Sequence, residues 1–291
     1  MSGHGSRMLR QAADQLTDKQ TAVLRFLQAH RLATTVQLAR MHRGDHATAS
    51  SALRQTARAL KRMATLHLVR TLDRRVGGAR AGSTGLVWSL TDTGARLLRL
   101  IYGVGHARRY RATEPGAMFT EHTLAVTELV VRLDEALRNG LVERVVVEPE
   151  PDCWRRYLGP HGVLLTLKPD LSASTTTAEY ADEWFFEVDQ GTENPARVVA
   201  KCQQYAAHRQ QGTEQRDRGV YPAVVWFTST PERQATLQRH LEAPNARIPP
   251  GMVTITTIDR LDALLTGGVD AITSSTNSSE RRYPDDAENT T

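Results

Sequence analysis

The sequence has little cysteine and no long apolar run. Its two cysteines, Cys153 and Cys202, lie far apart and form no C-x-x-C pair, which excludes a disulfide framework and a thiolate zinc site. No segment approaches the roughly 20 apolar residues that span a bilayer. The first seven residues lack the apolar core of a signal peptide. We therefore expect a cytoplasmic chain without a membrane partner.

The modest net charge of +5 hides two halves of opposite sign. Residues 1–115 carry 20 Lys and Arg against 6 Asp and Glu, whereas residues 116–291 carry 17 against 26. With 40% hydrophobic residues, the chain can fold into globular domains. A strongly basic half is typical of proteins that bind polyanions, because neutralised phosphates release their condensed counterions.

The basic half has the pattern of a winged helix-turn-helix domain over residues 15–103, preceded by a flexible segment at 1–14. Three helical segments, the second short and the third the longest, are followed by two strand-like segments and a closing helix. These segments are Lys19–Leu27, Val36–Arg40, a helix that begins within 45–48, Leu66–Leu72, Gly85–Leu90 and Asp92–Tyr102. In the third helix we expect an apolar face of Leu53, Ala57, Leu60 and Ala64.

The other face of the third helix is the predicted DNA-reading surface, since one helix fits the major groove and basic side chains contact phosphates. Its candidate residues are Ser50, Ser51, Arg54, Gln55, Arg58, Lys61 and Arg62. The glycine-rich hairpin that follows adds the candidate backbone contacts Arg74, Arg75 and Arg80. The alternative is a protein-protein module with a solvated basic face.

Two further basic features have open interpretations. His42 and His46 have the spacing of a zinc pair, but Gly44 interrupts the helix and no third ligand is near in sequence, which favours surface or phosphate-contacting histidines. The linker at 104–117 carries Arg108, Arg109 and Arg111, which either extend the DNA path or solvate a linker.

The acidic half predicts an α/β domain at 118–266, with an αβββαβ order and a further αβα segment. The predicted elements are a helix at 118–139, strands at 142–147, 163–171 and 184–189, a helix at 195–209, a strand at 220–227, a helix at 231–241, a strand at 252–258 and a helix at 259–265. Residues 267–291 are rich in polar residues and are expected to be disordered.

Carboxylates interrupt the apolar strands of this half. Glu187 and Asp189 alternate onto one face of a strand, and Asp170 follows another strand. Buried carboxylates are unfavourable without compensation. A hard cation such as Mg²⁺ or Mn²⁺ held by Asp170, Glu187 and Asp189 would provide it.

These residues and the order of elements resemble the PD-(D/E)XK nuclease core. More narrowly, a winged helix joined to Lys168-Pro169-Asp170, then 186–193 (Phe-Glu-Val-Asp-Gln-Gly-Thr-Glu), then 201–205 (Lys-Cys-Gln-Gln-Tyr), is similar to the replication-relaxation family of actinobacterial and other Gram-positive plasmids and integrative elements. The similarity covers residues 15–265.

The resemblance implies that Asp170 and Glu187 bind the metal, that Asp189 assists, and that a lysine acts on the attacked phosphate. The chain departs from the family pattern because Asp189 stands where the nuclease core has lysine. Lys201 either replaces that lysine from the next helix or is a surface residue opposite Glu193 or Asp189. On the long helix, Glu128 is either an accessory acid or part of a solvated face.

Two functions follow for a DNA-binding protein of plasmid or mobile-element replication and relaxation. One is a metal-dependent nuclease that nicks or cleaves DNA; the other is a non-catalytic initiator, accessory factor or regulator with a degenerate nuclease-like domain. A relaxase with two metal-binding histidines is disfavoured, because no His-x-His triplet occurs. Winged helices often dimerise, so a homodimer is a candidate assembly.

Overall fold

The structure is a computed structural model that describes residues 3–72, 85–103, 116–159 and 162–279. The chain divides into two compact units, Met1–Arg138 and Asn139–Thr291. Both combine helices with a β-sheet, so the expected mixed α and β class is confirmed.

Unit 1 packs helices against a small antiparallel sheet with the order β1-β3-β2. Its elements are α1 (Gly3–Gln15), α2 (Asp18–His30), β1 (Leu32–Thr34), α3 (Thr35–Met41), α4 (Ala49–Thr65), β2 (Val69–Thr71), β3 (Val87–Leu90), α5 (Asp92–Tyr102) and α6 (Ala117–Arg138). The core lies between α2, α4, α5 and the sheet, and includes Leu27, Leu60, Met63, Leu90 and Leu97.

Threonines begin four helices of unit 1. Thr17 and Thr34 each form a capping box, in which the hydroxyl accepts the N–H of a glutamine three residues later and that glutamine side chain binds back. Thr48 accepts the N–H of Ser51 at 3.1 Å, and Thr91 accepts the N–H of Gly94 at 3.0 Å. These caps set the starts of α2 to α5, which agree closely with the sequence.

Two expectations for unit 1 were wrong, and two others concern residues outside the described ranges. The segment at 1–14 is helical from Gly3 rather than flexible, since Leu9, Ala12 and Ala13 of α1 pack against the core. Leu53 is 40% exposed, because the buried face of α4 is rotated by one residue and consists of Ala52, Thr56, Leu60 and Met63. The hairpin tip at 73–84 and the segment at 104–115 lie outside the described residues.

The long helix α6 belongs to unit 1, although the sequence assigned it to the second domain. Thr127 donates a hydrogen bond to the carbonyl of Leu32 at 2.8 Å, and the Gln37 amide donates to the carbonyl of Leu124 at 2.9 Å. Arg40 of α3 forms a bidentate pair with Glu135 at 2.8 and 2.6 Å. These buried and charged contacts fix α6 to β1 and α3.

Unit 2 has a five-stranded sheet with the order β10-β9-β8-β7-β4. Its elements are β4 (Arg144–Pro149), β5 (Arg155–Leu158), β6 (Leu164–Leu167), β7 (Leu171–Thr176), β8 (Ala181–Asp189), α7 (Pro195–Gln210), α8 (Thr213–Arg218), β9 (Ala223–Thr228), α9 (Pro231–Glu242), β10 (Val253–Thr257) and α10 (Leu261–Ser279). Strand β7 is antiparallel to both of its neighbours, β4 and β8, and β8, β9 and β10 are parallel.

The single strand expected at 163–171 is two strands in different sheets. β6 pairs with β5 in a two-stranded ribbon, and β7 joins the main sheet. Lys168, Pro169 and Asp170 therefore form the connection from the ribbon into the sheet. The Cys153 thiol donates to the Pro169 carbonyl at 3.0 Å and holds this connection at the base of the ribbon.

The expected disorder from Gly267 onwards was wrong for the part that is described. α10 continues to Ser279, with a non-helical backbone at Gly268. Ile272 is only 4% exposed, so this segment is anchored by a buried apolar side chain, although its overall composition is polar. Residues 280–291 lie outside the described residues.

Candidate functional site

Glu187 is the centre of a polar cluster in the middle of unit 2. It is 1% exposed and lies on β8, where every residue from Trp184 to Asp189 is buried. Alternation along the strand puts Phe185 and Glu187 on one face, and α7 lies on that face, since Tyr205 contacts both side chains. Burial opposes the charge of Glu187 and raises its pKa; the Lys201 ammonium counters that effect and the neighbouring Asp170 carboxylate adds to it.

Both oxygens of Glu187 accept hydrogen bonds from α7. Lys201 donates to Oε2 and the Tyr205 hydroxyl donates to Oε1, each at 2.5 Å. The two donors are four residues apart and therefore share one face of the helix. Asn194 and Pro195 begin α7, while Val198 and Cys202 anchor it in the core. The helix thus delivers one cation and one neutral donor to one buried carboxylate.

Asp170 lies beside this pair because of the sheet register. Leu171 at the start of β7 pairs with Phe186, which places Asp170 next to the end of β8. Its Oδ2 accepts the backbone N–H of Val188 at 2.8 Å, and its Oδ1 is 3.8 Å from the Lys201 ammonium. The structure therefore brings Asp170, Glu187 and Lys201 together.

The Lys201 side chain is 26% exposed and remains positively charged. Burial opposes its charge, but Glu187 and Asp170 outweigh that effect and raise the pKa of Lys201 above its usual value. The close contacts of Lys201 are thus to Glu187 and Asp170, whereas the surface-residue alternative placed it opposite Glu193 or Asp189. It is a cation shared by two carboxylates, with part of its surface open to solvent.

Asp189 has a different partner. It lies on the same face of β8, but its carboxylate forms a bidentate pair with Arg233 of α9, with N–O distances of 2.7 and 3.0 Å. The N–H of Gly191 also donates to it at 3.1 Å. Arg233 further donates to the Glu193 carbonyl at 2.5 Å, so it closes the turn that follows β8. The carboxylate of Asp189 is therefore neutralised by an arginine of α9 rather than by Lys201.

Two carboxylates can contribute to a cation site here. Mg²⁺ is commonly held by one or two carboxylates together with substrate phosphates; Asp170 and Glu187 are two carboxylates that lie together here, with both oxygens of Glu187 accepting from Lys201 and Tyr205. The expected third ligand, Asp189, is engaged by Arg233. Over the described ranges, no group of three or more His, Cys, Asp or Glu residues is arranged to hold a metal ion.

Glu128 lies in unit 1, where its carboxylate binds two side chains of α3. Its carboxylate accepts from Arg40 at 2.6 Å and from the Gln37 amide at 3.2 Å, and it is 3.5 Å from Arg132 one turn further along α6. The described contacts of Glu128 are therefore those of an interhelical ion pair.

The basic face of α4 is open to solvent. Ser50, Arg54, Gln55, Arg58, Lys61 and Arg62 are exposed, and Ser51 is half-buried. This face projects from a helix whose other side is anchored in the core, so its cations are presented on a rigid support. Arg74, Arg75 and Arg80, predicted on the hairpin tip, lie outside the described residues.

The sequence alone assigns no contact to Arg233 or to Tyr205. Arg233 is 44 residues from Asp189, and only the placement of α9 beside β8 brings them together. The contact of Tyr205 could have been predicted from its spacing. Tyr205 follows Lys201 by one helical turn, so if one side chain contacts β8, the other is expected to contact it as well.

A comparison with protein-family models finds that residues 24–224 match the replication-relaxation family. No curated protein and no solved structure matches the chain. Within the described ranges, no helix combines the length and apolar character that crossing a membrane requires.

Proposed function

The chain belongs to the replication-relaxation family, and from that premise we propose that it binds plasmid or mobile-element DNA through unit 1 and nicks it through unit 2. Family membership associates the chain with replication and relaxation of such DNA. The observation that carries the nuclease proposal is the convergence of Asp170, Glu187 and Lys201.

We propose that unit 1 is a winged helix whose α4 enters the major groove. The order of α2, α3 and α4, followed by the antiparallel strands β2 and β3, supports this assignment. The exposed cations Arg54, Arg58 and Arg62 are spaced along the solvent face of α4. They suit phosphates, while Ser50 in the first turn of α4 and the exposed Gln55 are our candidates for contacts with base edges.

Replacing Arg54, Arg58 and Arg62 by alanine tests this surface. We expect DNA affinity to fall and the slope of log K against log salt to decrease by about 0.9 for each phosphate that the variant no longer neutralises. Arg239, an exposed arginine on α9 of unit 2, is the control. Unchanged affinity and slope in the triple variant would exclude α4 as the DNA surface.

In unit 2 we propose a PD-(D/E)XK-like site in which the lysine comes from α7. Asp170 and Glu187 would hold Mg²⁺ or Mn²⁺, and Lys201 would place its positive charge beside the attacked phosphate. When bound, the divalent cation supplies charge that polarises the phosphodiester. Asp189, paired with Arg233, orders the turn after β8 in this scheme.

Incubation of supercoiled plasmid with the protein and Mg²⁺ or Mn²⁺ tests the nuclease. We expect conversion to the nicked form, loss of nicking in Asp170→Asn and Glu187→Gln, and retained DNA binding by both variants. Asp217→Asn, an exposed acid of α8, is the matched control. Nicking by Asp170→Asn and Glu187→Gln at the wild-type rate would refute the assignment.

The second candidate is a non-catalytic DNA-binding protein of replication. It is favoured by the engagement of both Glu187 oxygens by Lys201 and Tyr205, and by the pairing of Asp189 with Arg233. Those contacts are also expected of a buried ion pair that stabilises the fold. Tight DNA binding without nicking at any concentration of Mg²⁺ or Mn²⁺ would identify this function.

A further inference from the structure

A cavity of about 380 Å³ lies in unit 1 between the start of α2, the turn at 42–46 and α4. Its lining residues are Thr17, Lys19, Gln20, Val23, His42, His46, Gln55, Thr56, Arg58, Ala59 and Arg62. Gln55, Arg58 and Arg62 also belong to the exposed face of α4. The cavity is therefore continuous with the proposed DNA surface.

Cations surround this cavity. Lys19, Arg58 and Arg62 are exposed and His42 and His46 are half-buried, so the charged and imidazole groups come from three separate elements. The described lining residues include no carboxylate. The buried side of the cavity contains Val23 and the polar side chains of Gln20 and Thr56. This composition suits an anion that is neutralised by several donors.

Local hydrogen bonds hold the walls in place. The Arg43 guanidinium donates to the carbonyl of His46, and to that of Ala47 at 3.3 Å, which fixes the turn before α4. On the opposite wall, the Thr17 hydroxyl accepts the N–H of Gln20 and fixes the first turn of α2, where Lys19 lies. The backbone segments that carry Lys19 and His46 are thus held in place before any ligand arrives.

We propose that this cavity takes a phosphate group of the DNA backbone, flanking the part of the duplex that α4 reads. The proposal rests on DNA binding by unit 1. The proposed site adds three residues that do not lie on α4 to the DNA contact surface: Lys19, His42 and His46. Guanidinium, ammonium and imidazole donors are the groups that bind phosphate oxygens through charge-assisted hydrogen bonds. The cavity is large enough for a phosphate with its sugar.

The same chemistry would bind free phosphate or a mononucleotide, so the experiment separates the sources. Full-length wild type, Lys19→Ala and His46→Gln are compared for duplex DNA affinity across a salt series. Their melting temperatures are compared with and without inorganic phosphate and deoxynucleoside monophosphate. Arg54→Ala and Lys61→Ala report on the α4 surface alone, because both residues are exposed cations on α4 that do not line the cavity, and Arg239→Ala in unit 2 is the control.

We expect Lys19→Ala to weaken DNA binding about tenfold at low salt, as the removal of a charge-assisted hydrogen bond predicts. Its salt slope should fall by about 0.9. His46→Gln should weaken binding in the same direction, with melting temperatures close to wild type in both variants.

The outcomes distinguish this proposal from the DNA-binding proposal on which it depends. If Arg54→Ala weakens DNA binding while Lys19→Ala and His46→Gln do not, the cavity takes no backbone phosphate and the α4 surface stands. If phosphate or the mononucleotide stabilises wild type and that effect alone disappears in Lys19→Ala, the site is for free phosphate, which overturns the proposal. If wild type does not bind DNA, both proposals fail.

Discussion

At the residue scale, Glu187 depends on two donors that reach it from one face of α7. Because the carboxylate is 1% exposed, removal of Lys201 leaves a buried acid whose only described side-chain donor is Tyr205. The burial of Tyr205 raises the pKa of its hydroxyl well above the usual value, and the adjacent Glu187 adds to that effect, so the hydroxyl remains a donor.

We expect Lys201→Met to lower the free energy of unfolding of unit 2 by about 3 kcal/mol at neutral pH, since breaking a buried pair leaves one partner uncompensated. The double variant Glu187→Gln with Lys201→Met should regain part of this loss. Urea denaturation of the four proteins of this cycle measures the coupling. Additive losses in the double variant would show that the pair is not coupled.

We expect His208 to make the stability of unit 2 depend on pH. It is 1% exposed, its Nδ1 is 3.1 Å from the Tyr221 hydroxyl, and burial lowers its pKa to about 4, with the charge of Arg155 as a smaller cause. The folded state therefore binds the proton less readily than the unfolded state, whose imidazole has a pKa near 6.5.

The stabilising effect of neutral His208 should be complete above pH 6.5 and disappear as the pH falls towards 4, with a loss of up to about 3 kcal/mol. We expect His208→Asn to be less stable at pH 7 and to show a flatter pH profile over this range. His240→Asn, an exposed substitution, is the control. Equal slopes for His208→Asn and wild type would contradict this assignment.

At the element scale, α5 meets the chain segment before β2 at a glycine. A Cβ on Gly94 would lie 2.3 Å from the Leu68 carbonyl oxygen and 2.7 Å from Leu90 Cδ1. The Leu68 backbone cannot move aside as a flexible side chain can. Helix α5 therefore approaches Leu68 this closely only because residue 94 is glycine.

Gly94→Ala should therefore destabilise unit 1 by about 1–3 kcal/mol, the usual cost of overpacking a close contact. The matched control is Gly116→Ala, where a Cβ would meet nothing within 4 Å. Thermal melts of both variants provide the test. An unchanged melting temperature for Gly94→Ala would mean that α5 can shift without loss.

The elements differ in how far the sequence could predict them. The starts of α3 and α4 follow from threonine caps, and Asp170, Glu187 and Lys201 converge because strand alternation and one following helix fix them. The bidentate contact of Asp189 could not be foreseen, since it requires the orientation of α9. Helix α1 was missed because Gly3 and Gly5 open a segment whose helicity depends on packing against the core.

At the scale of the whole molecule, the contrast in charge follows the division into units. Residues 1–138 carry 22 Lys and Arg against 10 Asp and Glu, and residues 139–291 carry 15 against 22. The position of α6 thus changes the boundary predicted from sequence but not the contrast. The basic unit presents its cations on α4, and the acidic unit contains buried carboxylates.

The boundary can be tested with fragments. We expect residues 1–138 to melt cooperatively, and residues 1–116 to be markedly less stable, because the shorter fragment lacks the acids that pair with Arg40. It also lacks Thr127 and its bond to Leu32. Circular dichroism melts of the two fragments measure the difference. Equal melting temperatures would mean that α6 is dispensable to unit 1.

The chain has only four lysines, and each occupies a distinct place: Lys19 at the cavity, Lys61 on α4, Lys168 at the base of the ribbon and Lys201 beside Glu187. Their ε-amines are therefore four separately addressable labels for acylating reagents. The three exposed amines should react first, and Lys201 last, because its raised pKa keeps it protonated. Mass mapping of the order of acylation, with and without DNA, would follow the proposed DNA surface, the cavity and the acidic site in one sample.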